Sequence, residues 1–437
     1  MLLLHRWKEL VRRHAGEVAL ADVPAGRTWT FGELDAAGEA AGEGRRESRL
    51  AVVGGQDGSF VVETLGAWHR GDVLCPVETG VAPSVAAGGW LQRLPKEIVH
   101  VKWTSGSTGE PRAVIFRAEQ LVADADNIVS TMKLGREVPN VAAISLAHSY
   151  GFSNLVLTLL LHGIPLFLAG SPLPESVRRA MERAGRPCAL PGVPAMWRAW
   201  LAAGIPGESV RVAISAGAPL PAELEREAYA KSGVKIHNFL GSSECGGIAY
   251  DRTDWPREDA GSVGTAMDGV TLDLEAGRLV VRGAAVAEGY WPAEADEEGV
   301  LGGGRFLTAD LAAWDGGALH LRGRAGDVIN VAGRKVHPSE IEAVVRTVPA
   351  VRECVAFAVP EGAATGRAEE IGLCVALDAG GAADPLGAIR AAVAAQLPTW
   401  KQPRHWFIDP TLSANERGKI PRHLWRERCL ARQGAAV

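Results

Sequence analysis

Residues 104–112 read Thr-Ser-Gly-Ser-Thr-Gly-Glu-Pro-Arg. Thr104, Ser105, Gly106, Ser107, Thr108 and Gly109 are all glycine or hydroxyl-bearing, and Arg112 ends the run with a cation. Small residues let successive backbone N–H groups form a concave nest for phosphate oxygens, and hydroxyls add donors. The run has no GxxxxGK[ST] spacing, so it is not a Walker A loop. The same composition also suits a flexible Gly/Ser connection. Other reactive side chains lie far apart in sequence: His148 beside Ser-Tyr-Gly, Glu244 after Gly-Ser-Ser, Asp310, Arg324, and Lys419 in a Gly-Lys turn.

The elements that must position these groups follow a strand–helix–strand rhythm. It runs through 50–54, 60–70 and 72–77, again through 141–146, a helix after Gly151 and 165–169, and again through 210–215, a helix from Pro221 and 235–240. That rhythm predicts parallel sheet. Near the start, the stretch RTWTFGEL from Arg27 is a short strand that runs into a helix capped by Thr30. After Asp251 short strands with Gly-rich turns predict an antiparallel meander through Leu321. From Val336 a new α+β unit begins, with helices over 339–346 and 385–396 and strands over 353–359, 371–377 and 405–408. The expected fold class is α/β: a large N-terminal domain, 1–325, with parallel-type sheets and a β-rich subdomain, and a small C-terminal domain, 326–437. The Ala/Gly-rich stretches 36–44 and 378–384 read as surface linkers or as biased composition, not as function.

The chain has 437 residues, 47% hydrophobic and 22% charged, which excludes a disordered chain, a collagen and a coiled-coil rod. Lys plus Arg is 46 and Asp plus Glu 51, a net −5, so a nucleic-acid backbone is a poor partner while a nucleotide ligand stays open. MLLL is followed at once by His5, Arg6, Lys8 and Glu9, unlike a signal peptide. The longest apolar run, 155–170, is broken by His162, Gly163 and Pro165 and too short to span a membrane. The six cysteines include no CxxC pair and read as free thiols in a reducing cytoplasm.

Residues 104–112 resemble the phosphate loop [ST]SG[ST]TGxPK of the adenylate-forming (AMP-binding) superfamily. Further segments resemble that family's motifs in its own order: WTFGEL from Trp29, HSYGFSN from His148, SAGAPL from Ser215, NFLGSSE from Asn238, TAD from Thr308, GRAGDVINVAGRKVHPSEIE from Gly323, and GKIPR from Gly418. Together they cover nearly the whole chain. The resemblance implies activation of a carboxylic acid by ATP to an acyl-adenylate, then transfer to a thiol with release of AMP. It implies a large N-terminal domain and a small mobile C-terminal cap.

By that resemblance the phosphate loop holds ATP, Gly217, Ala218 and Pro219 admit adenine, and Asn238, Gly241 and Ser243 line the nucleotide. Asp310 accepts the ribose hydroxyls, Arg324 contacts ribose or phosphate, and Glu244 is the Mg²⁺ ligand. His148, Tyr150, Gly151, Ser215, Gly241 and Ser242 line the acid pocket. Lys419 bridges carboxylate and α-phosphate as the catalytic lysine, with Glu244 and Arg324 also catalytic. Gly333 and Arg334 line the thiol tunnel, and Gly326 is the hinge. ATP, Mg²⁺ and CoA or phosphopantetheine are the implied cofactors, and a small carboxylic acid the substrate, with an acyl carrier protein as the alternative acceptor.

Departures are Arg112 for the usual Lys, Ala113 and Ala309 for Gly, and Leu240 for an adenine-stacking aromatic. Only about two dozen residues separate Glu78 from Lys102, where relatives carry a longer connection, so the wall of the acid pocket is expected to be trimmed, and a partner subunit or a second protomer in a homodimer could cover it. HSYGFSN carries no acid to hold an ammonium, which favours an aryl or acyl acid over an amino acid. The competing readings are an amino-acid adenylation enzyme and a non-catalytic nucleotide-binding homologue.

Overall fold

The structure is a computed structural model that describes residues 2–43, 49–78, 94–105, 111–205, 207, 209–293, 296, 299–331, 333–360, 369–378, 384–414 and 420–434. The chain forms two compact units. The first comprises 1–275, 280–308 and 315–319; the second comprises 276–279, 309–314 and 320–437. The division therefore passes through the neighbouring strands Arg278–Gly283 and Arg305–Asp315.

Two sheets lie wholly within the first unit. The larger has nine strands, in the order Thr265–Ala266, Gly246–Tyr250, Ile236–Ser242, Val210–Ser215, Cys188–Gly192, Asn140–Ala142, Leu166–Leu168, Val18–Asp22 and Arg27–Thr30. The six from Ile236–Ser242 to Val18–Asp22 run parallel, and antiparallel hairpins close both edges. Crossover helices Pro174–Ala184, Pro194–Ala202 and Ala222–Ser232 cover it. Val141, Phe167, Leu190, Trp197, Trp200 and Ile236 share one buried cluster. Strands buried on both faces are the expected consequence of parallel topology.

The second sheet orders Gly289–Trp291, Pro111–Arg117, Ile98–Ser105, Val73–Val77 and Leu50–Gly54. Ile98–Ser105 and Pro111–Arg117 pair antiparallel, with Thr104 opposite Arg112, so the phosphate-loop segment joins two strands of a hairpin.

Thr30 caps its helix as expected, in a reciprocal capping box with Glu33. The stretch 36–44 is not a linker. It belongs largely to the helix Phe31–Gly42, packed on the helix Gly58–Arg70. A Cβ on Gly38 would lie 2.5 Å from Leu65 Cβ, so its glycine serves close helix contact. Of 378–384, residues 379–383 lie outside the described residues, and Asp384 caps the helix Pro385–Gln396.

A buried ionic network braces the first unit. Lys235 pairs with Glu225 and, at 2.6 Å, with Asp251, while Arg257 Nε donates to Glu225 Oε2 at 2.8 Å and Nη2 to the Leu220 carbonyl at 2.9 Å. All four side chains are buried. Burial alone would raise the Asp251 carboxyl, but Lys235 and Thr253 outweigh it and hold its pKa below the ordinary value. A depressed folded pKa gives stability above the unfolded pKa that is lost as pH falls through the folded one. Asp251→Asn should therefore lower the melting temperature most at neutral pH, with the two curves converging below about pH 4. A melting-temperature gap independent of pH would contradict this.

The second unit has a three-stranded sheet of Val351–Pro360, Glu369–Leu377 and His405–Ile408, the first pair antiparallel and the second parallel. Pro338–Arg346 and Pro385–Gln396 bury Ile341, Val345, Ile389 and Val393 in its core. The helix Arg422–Gly434 is tied in at its start, because Arg422 binds Asp327 (3.1 Å) and Glu342. All six cysteines are free and buried. Among the described residues, no helix is long and apolar enough to cross a membrane.

Candidate active site

In the first unit the site centres on the turn between Ile236–Ser242 and Gly246–Tyr250. A bulge at Leu240/Gly241 bends this hairpin, and Gly246 takes φ +67°, a left-handed conformation suited to glycine. Glu244 sits at the turn. Its carbonyl accepts from Ala287 N at 2.9 Å, and its N–H donates to Ser242 Oγ at 3.3 Å. Glu244 Oε1 accepts from Tyr290 Oη at 3.0 Å. The Arg112 guanidinium lies 5.5 Å from the centre of the Tyr290 ring. Burial, reinforced by the Glu244 carboxylate, pushes the Tyr290 phenol upward, so it stays a donor. The phosphate-loop segment, the Glu244 turn and the strand carrying Tyr290 thus meet at one place. Gly106, Ser107, Thr108 and Gly109 lie outside the described residues, as does the 79–93 stretch of the shortened connection. Ser105 ends its strand, and Thr104 Oγ1 donates to the Arg112 carbonyl at 3.4 Å.

The segment from His148 enters the same region. His148 Nδ1 accepts from Tyr150 N at 3.3 Å and so caps the helical stretch that starts at Ser149. That stretch continues as a π-helix over Phe152–Leu157, a form often found at functional sites. A Cβ on Gly151 would lie 1.9 Å from the Ser145 carbonyl oxygen, so only glycine fits. Tyr150 packs on Phe239 and its hydroxyl donates to the Ile214 carbonyl at 3.4 Å. Ser149 Oγ donates to Ser243 Oγ at 2.9 Å, which joins the acid-pocket segment directly to the Glu244 turn.

Ser215 ends a parallel strand, where open α/β sheets bind ligands. Its Oγ is buried and, among the described residues, has no hydrogen-bond partner. Gly217 follows at φ +84°, then Ala218 and Pro219, in the loop whose end Arg257 holds. Asn238 is buried and its amide donates to the Ser262 carbonyl at 3.2 Å, so it holds the strand that leads to Gly241 and Ser242.

Sequence reasoning missed four residues here. Tyr290 carried no local signal. Lys102 lies two residues before the loop, buried, 4.7 Å from the Phe116 ring centre. Asp124, also buried, accepts from Ser153 Oγ at 2.6 Å and from Gly247 N at 3.1 Å. His100 lies on the same strand as Lys102, stacked on Phe152, with both ring nitrogens buried and unpartnered among the described residues. Burial, with Lys102 adding to it, holds His100 neutral.

The second unit carries the remaining candidates. Arg324 Nε donates to Asp310 Oδ1 at 3.1 Å, so these two groups are brought together. Gly326 lies in the 3₁₀ turn Ala325–Asp327, and a Cβ there would meet nothing. Gly333 has φ +84° and donates its N–H to Asn330 Oδ1 at 2.9 Å in a hairpin turn. Arg334 lies over the Trp400 ring at 5.2 Å. Lys419 lies outside the described residues, between Leu412, buried in this unit's core, and the ion-paired Arg422.

A family model of AMP-binding enzymes matches residues 91–291, and one of the AMP-binding enzyme C-terminal domain matches 340–419. The chain belongs to the AMP-binding, adenylate-forming family. A feruloyl-CoA synthase of an Amycolatopsis species is 28% identical over 344 residues, 74% of this chain and 68% of that one. An anthranilate–CoA ligase of Pseudomonas aeruginosa is 31% identical over 285 residues, 60% of this chain and 53% of that one. The fold matches that of an anthranilate CoA ligase solved with anthranoyl-AMP, at TM-score 0.84, 19% identity and coverage of 100% of this chain and 98% of that one.

AMP-binding enzymes of this acid–CoA ligase type work on ATP with Mg²⁺. The Glu244 carboxylate fits such an ion. One oxygen is fixed by Tyr290, and Mg²⁺ uses few carboxylates when phosphate and water supply the rest. Among the described residues no group of three or more His, Cys, Asp or Glu side chains could hold a metal ion.

Proposed function

We propose that the protein joins a plain carboxylic acid, aryl or medium-sized acyl, to a thiol in two steps. The acid's carboxylate oxygen attacks the α-phosphorus of ATP, the bond to the β-phosphate bridge breaks, and pyrophosphate leaves. The thiol then loses its proton, its sulfur attacks the acyl carbon, and AMP leaves. Both steps ask the protein chiefly to position groups and screen charge.

The observation that carries the reading is the convergence of Arg112, Tyr290 and Glu244 with the His148–Tyr150 segment through the Ser149–Ser243 hydrogen bond. Glu244 would hold Mg²⁺, which would screen the triphosphate. Arg112 and the loop would bind phosphate, Asp310 and Arg324 the ribose and α-phosphate side. Lys419 would bridge the attacking carboxylate and the α-phosphate, Gly326 would be the hinge of a mobile cap, and Gly333 and Arg334 would border the thiol arm.

An α-amino acid is disfavoured because the segment His148–Asn154 carries no acid, and Asp124, which accepts from Ser153 of that segment, is also bound by Gly247 N. CoA is the favoured acceptor, since the relatives are named as CoA synthases and ligases; phosphopantetheine on a carrier protein is the alternative. The test is product analysis with ATP, an aromatic acid and CoA. Equal amounts of AMP and acyl-CoA are expected. Formation of ADP and phosphate would overturn the reading, and acyl transfer only to a carrier protein would overturn the acceptor.

A further inference from the structure

The loop 216–221 joins the strand Val210–Ser215 to the helix Ala222–Ser232. Its crest, Gly217, Ala218 and Pro219, is partly or fully exposed, while Ala216 and Leu220 on either side of it are buried. The sheet holds the first end, where Ala216 N donates to the Gly192 carbonyl at 3.2 Å. At the second end the Leu220 side chain shares a buried cluster with Ala213 and Leu224. Its backbone carbonyl is held by one side chain, accepting from Arg257 Nη2 at 2.9 Å.

Arg257 is 7% exposed and directs its other donors to two further segments. Nη1 donates to the Ser262 carbonyl and, at 3.3 Å, to that of Ala260. Nε donates to Glu225 Oε2 at 2.8 Å, and the backbone N–H to Glu225 Oε1 at 2.7 Å, on the helix that follows the loop. The Ser262 carbonyl also accepts from the Asn238 amide at 3.2 Å, on the strand that leads to the Glu244 turn. One planar guanidinium therefore ties together the loop's end, the next helix and the 260–262 segment. Lys235 and Asp251 complete the cluster, two cations with two carboxylates. Its charges balance, which suits a brace better than an anion pocket. An apolar side chain in place of Arg257 would leave the Leu220 carbonyl without this donor.

We propose that Arg257 is a positioning residue that sets nucleotide-base selectivity by fixing the second end of the loop 216–221. The inference rests on the reading that Gly217, Ala218 and Pro219 admit the adenine of ATP. Arg257 acts through the loop and not on the reacting atoms. A site discriminates between bases while its polar groups stay fixed, because the wrong base then leaves them unpaired. A loop released at Leu220 can adjust to either base and loses that discrimination.

The test compares Arg257→Lys, which keeps the charge and loses the planar fork, with Asp251→Asn. Asp251 belongs to the same network, but its carboxylate serves Lys235 and Thr253 and neither backbone carbonyl. Each protein is measured calorimetrically for binding of Mg-ATP, Mg-GTP and Mg-pyrophosphate, and for melting temperature. Both variants should melt earlier than wild type. In Arg257→Lys the ratio of ATP to GTP affinity should fall about 10-fold, with pyrophosphate binding unchanged. In Asp251→Asn the ratio should stay at the wild-type value. An unchanged ratio in Arg257→Lys, an equal fall in the two variants, or wild-type protein that binds GTP as tightly as ATP would overturn the proposal. Should Arg257→Lys fail to fold, Glu225→Gln, which removes the charge that orients the guanidinium, takes its place with the same outcomes. A ratio that falls in Arg257→Lys, in a protein whose wild type shows no exchange with any acid, would count against the proposed reaction and support the brace.

Discussion

Lys419→Ala is expected to slow acyl-adenylate formation by about 10²–10³-fold, the cost of losing one key electrostatic donor. It should leave thioester formation from preformed adenylate near the wild-type rate. The adenylation step brings a carboxylate to a polyanion, so negative charge is most concentrated there. A flexible ammonium with three donors can follow that charge between carboxylate and α-phosphate. In the second step pyrophosphate has left and the charge to be screened is smaller. Lys419 lies between two anchored points, buried Leu412 and the Arg422 ion pairs, so its replacement should leave the second unit folded. The check supplies wild-type and variant protein with synthetic acyl-adenylate and thiol. A variant as slow in that half as in adenylation would make Lys419 structural.

Glu244→Gln is expected to reduce exchange by about 10²–10³-fold, since metal charge stabilisation is worth several kcal/mol and 1.4 kcal/mol is tenfold. The amide keeps an oxygen that can accept from Tyr290 Oη, and the turn's backbone contacts to Ser242 and Ala287 do not involve the side chain. The melting temperature should therefore change little while half-activation shifts to higher Mg²⁺. Tyr290→Phe, which leaves the carboxylate charged but unheld, should cost only about 10-fold. Equal losses in the two variants, or a Glu244→Gln protein with normal Mg²⁺ dependence, would remove Glu244 from the metal role.

Local signals made some elements legible to the residue. Asp384 and Pro385 mark a helix start, and the helix Pro385–Gln396 begins there. Val210–Ser215 and His405–Ile408 match their apolar runs. Other elements were hidden by the same residue types that usually punctuate loops. Cys188–Gly192 is buried at every position although it contains Pro191 and Gly192. The helix Phe31–Gly42 starts at Thr30 as expected, but its Ala/Gly-rich second half, whose glycines serve close contact, reads in sequence as a linker.

The candidate site divides in the same way. Contiguous motifs flagged Glu244, the His148 segment and the Asp310–Arg324 pair, because each carries its chemistry in a short run. Tyr290 and Asp124 act on residues distant in sequence, so no spacing exposes them. Lys102 is the instructive case. In Ile98–Ser105 the alternation sets His100, Lys102 and Thr104 on one face and Val99, Val101 and Trp103 on the other. Period-two patterning assigns such a polar face to solvent. Here Phe152 and Phe116 stack against His100, and His100 and Lys102 are buried rather than solvated.

The central claim is the activation of a carboxylic acid as its adenylate, and acid-dependent ATP–pyrophosphate exchange measures it directly. A panel of aromatic acids, medium-chain acids and α-amino acids is offered to wild-type protein with Mg-ATP and no thiol. Label exchange stimulated by an aromatic or medium-chain acid, and by no α-amino acid, is the predicted result. Exchange stimulated only by an α-amino acid, or by no acid in the panel, would contradict it.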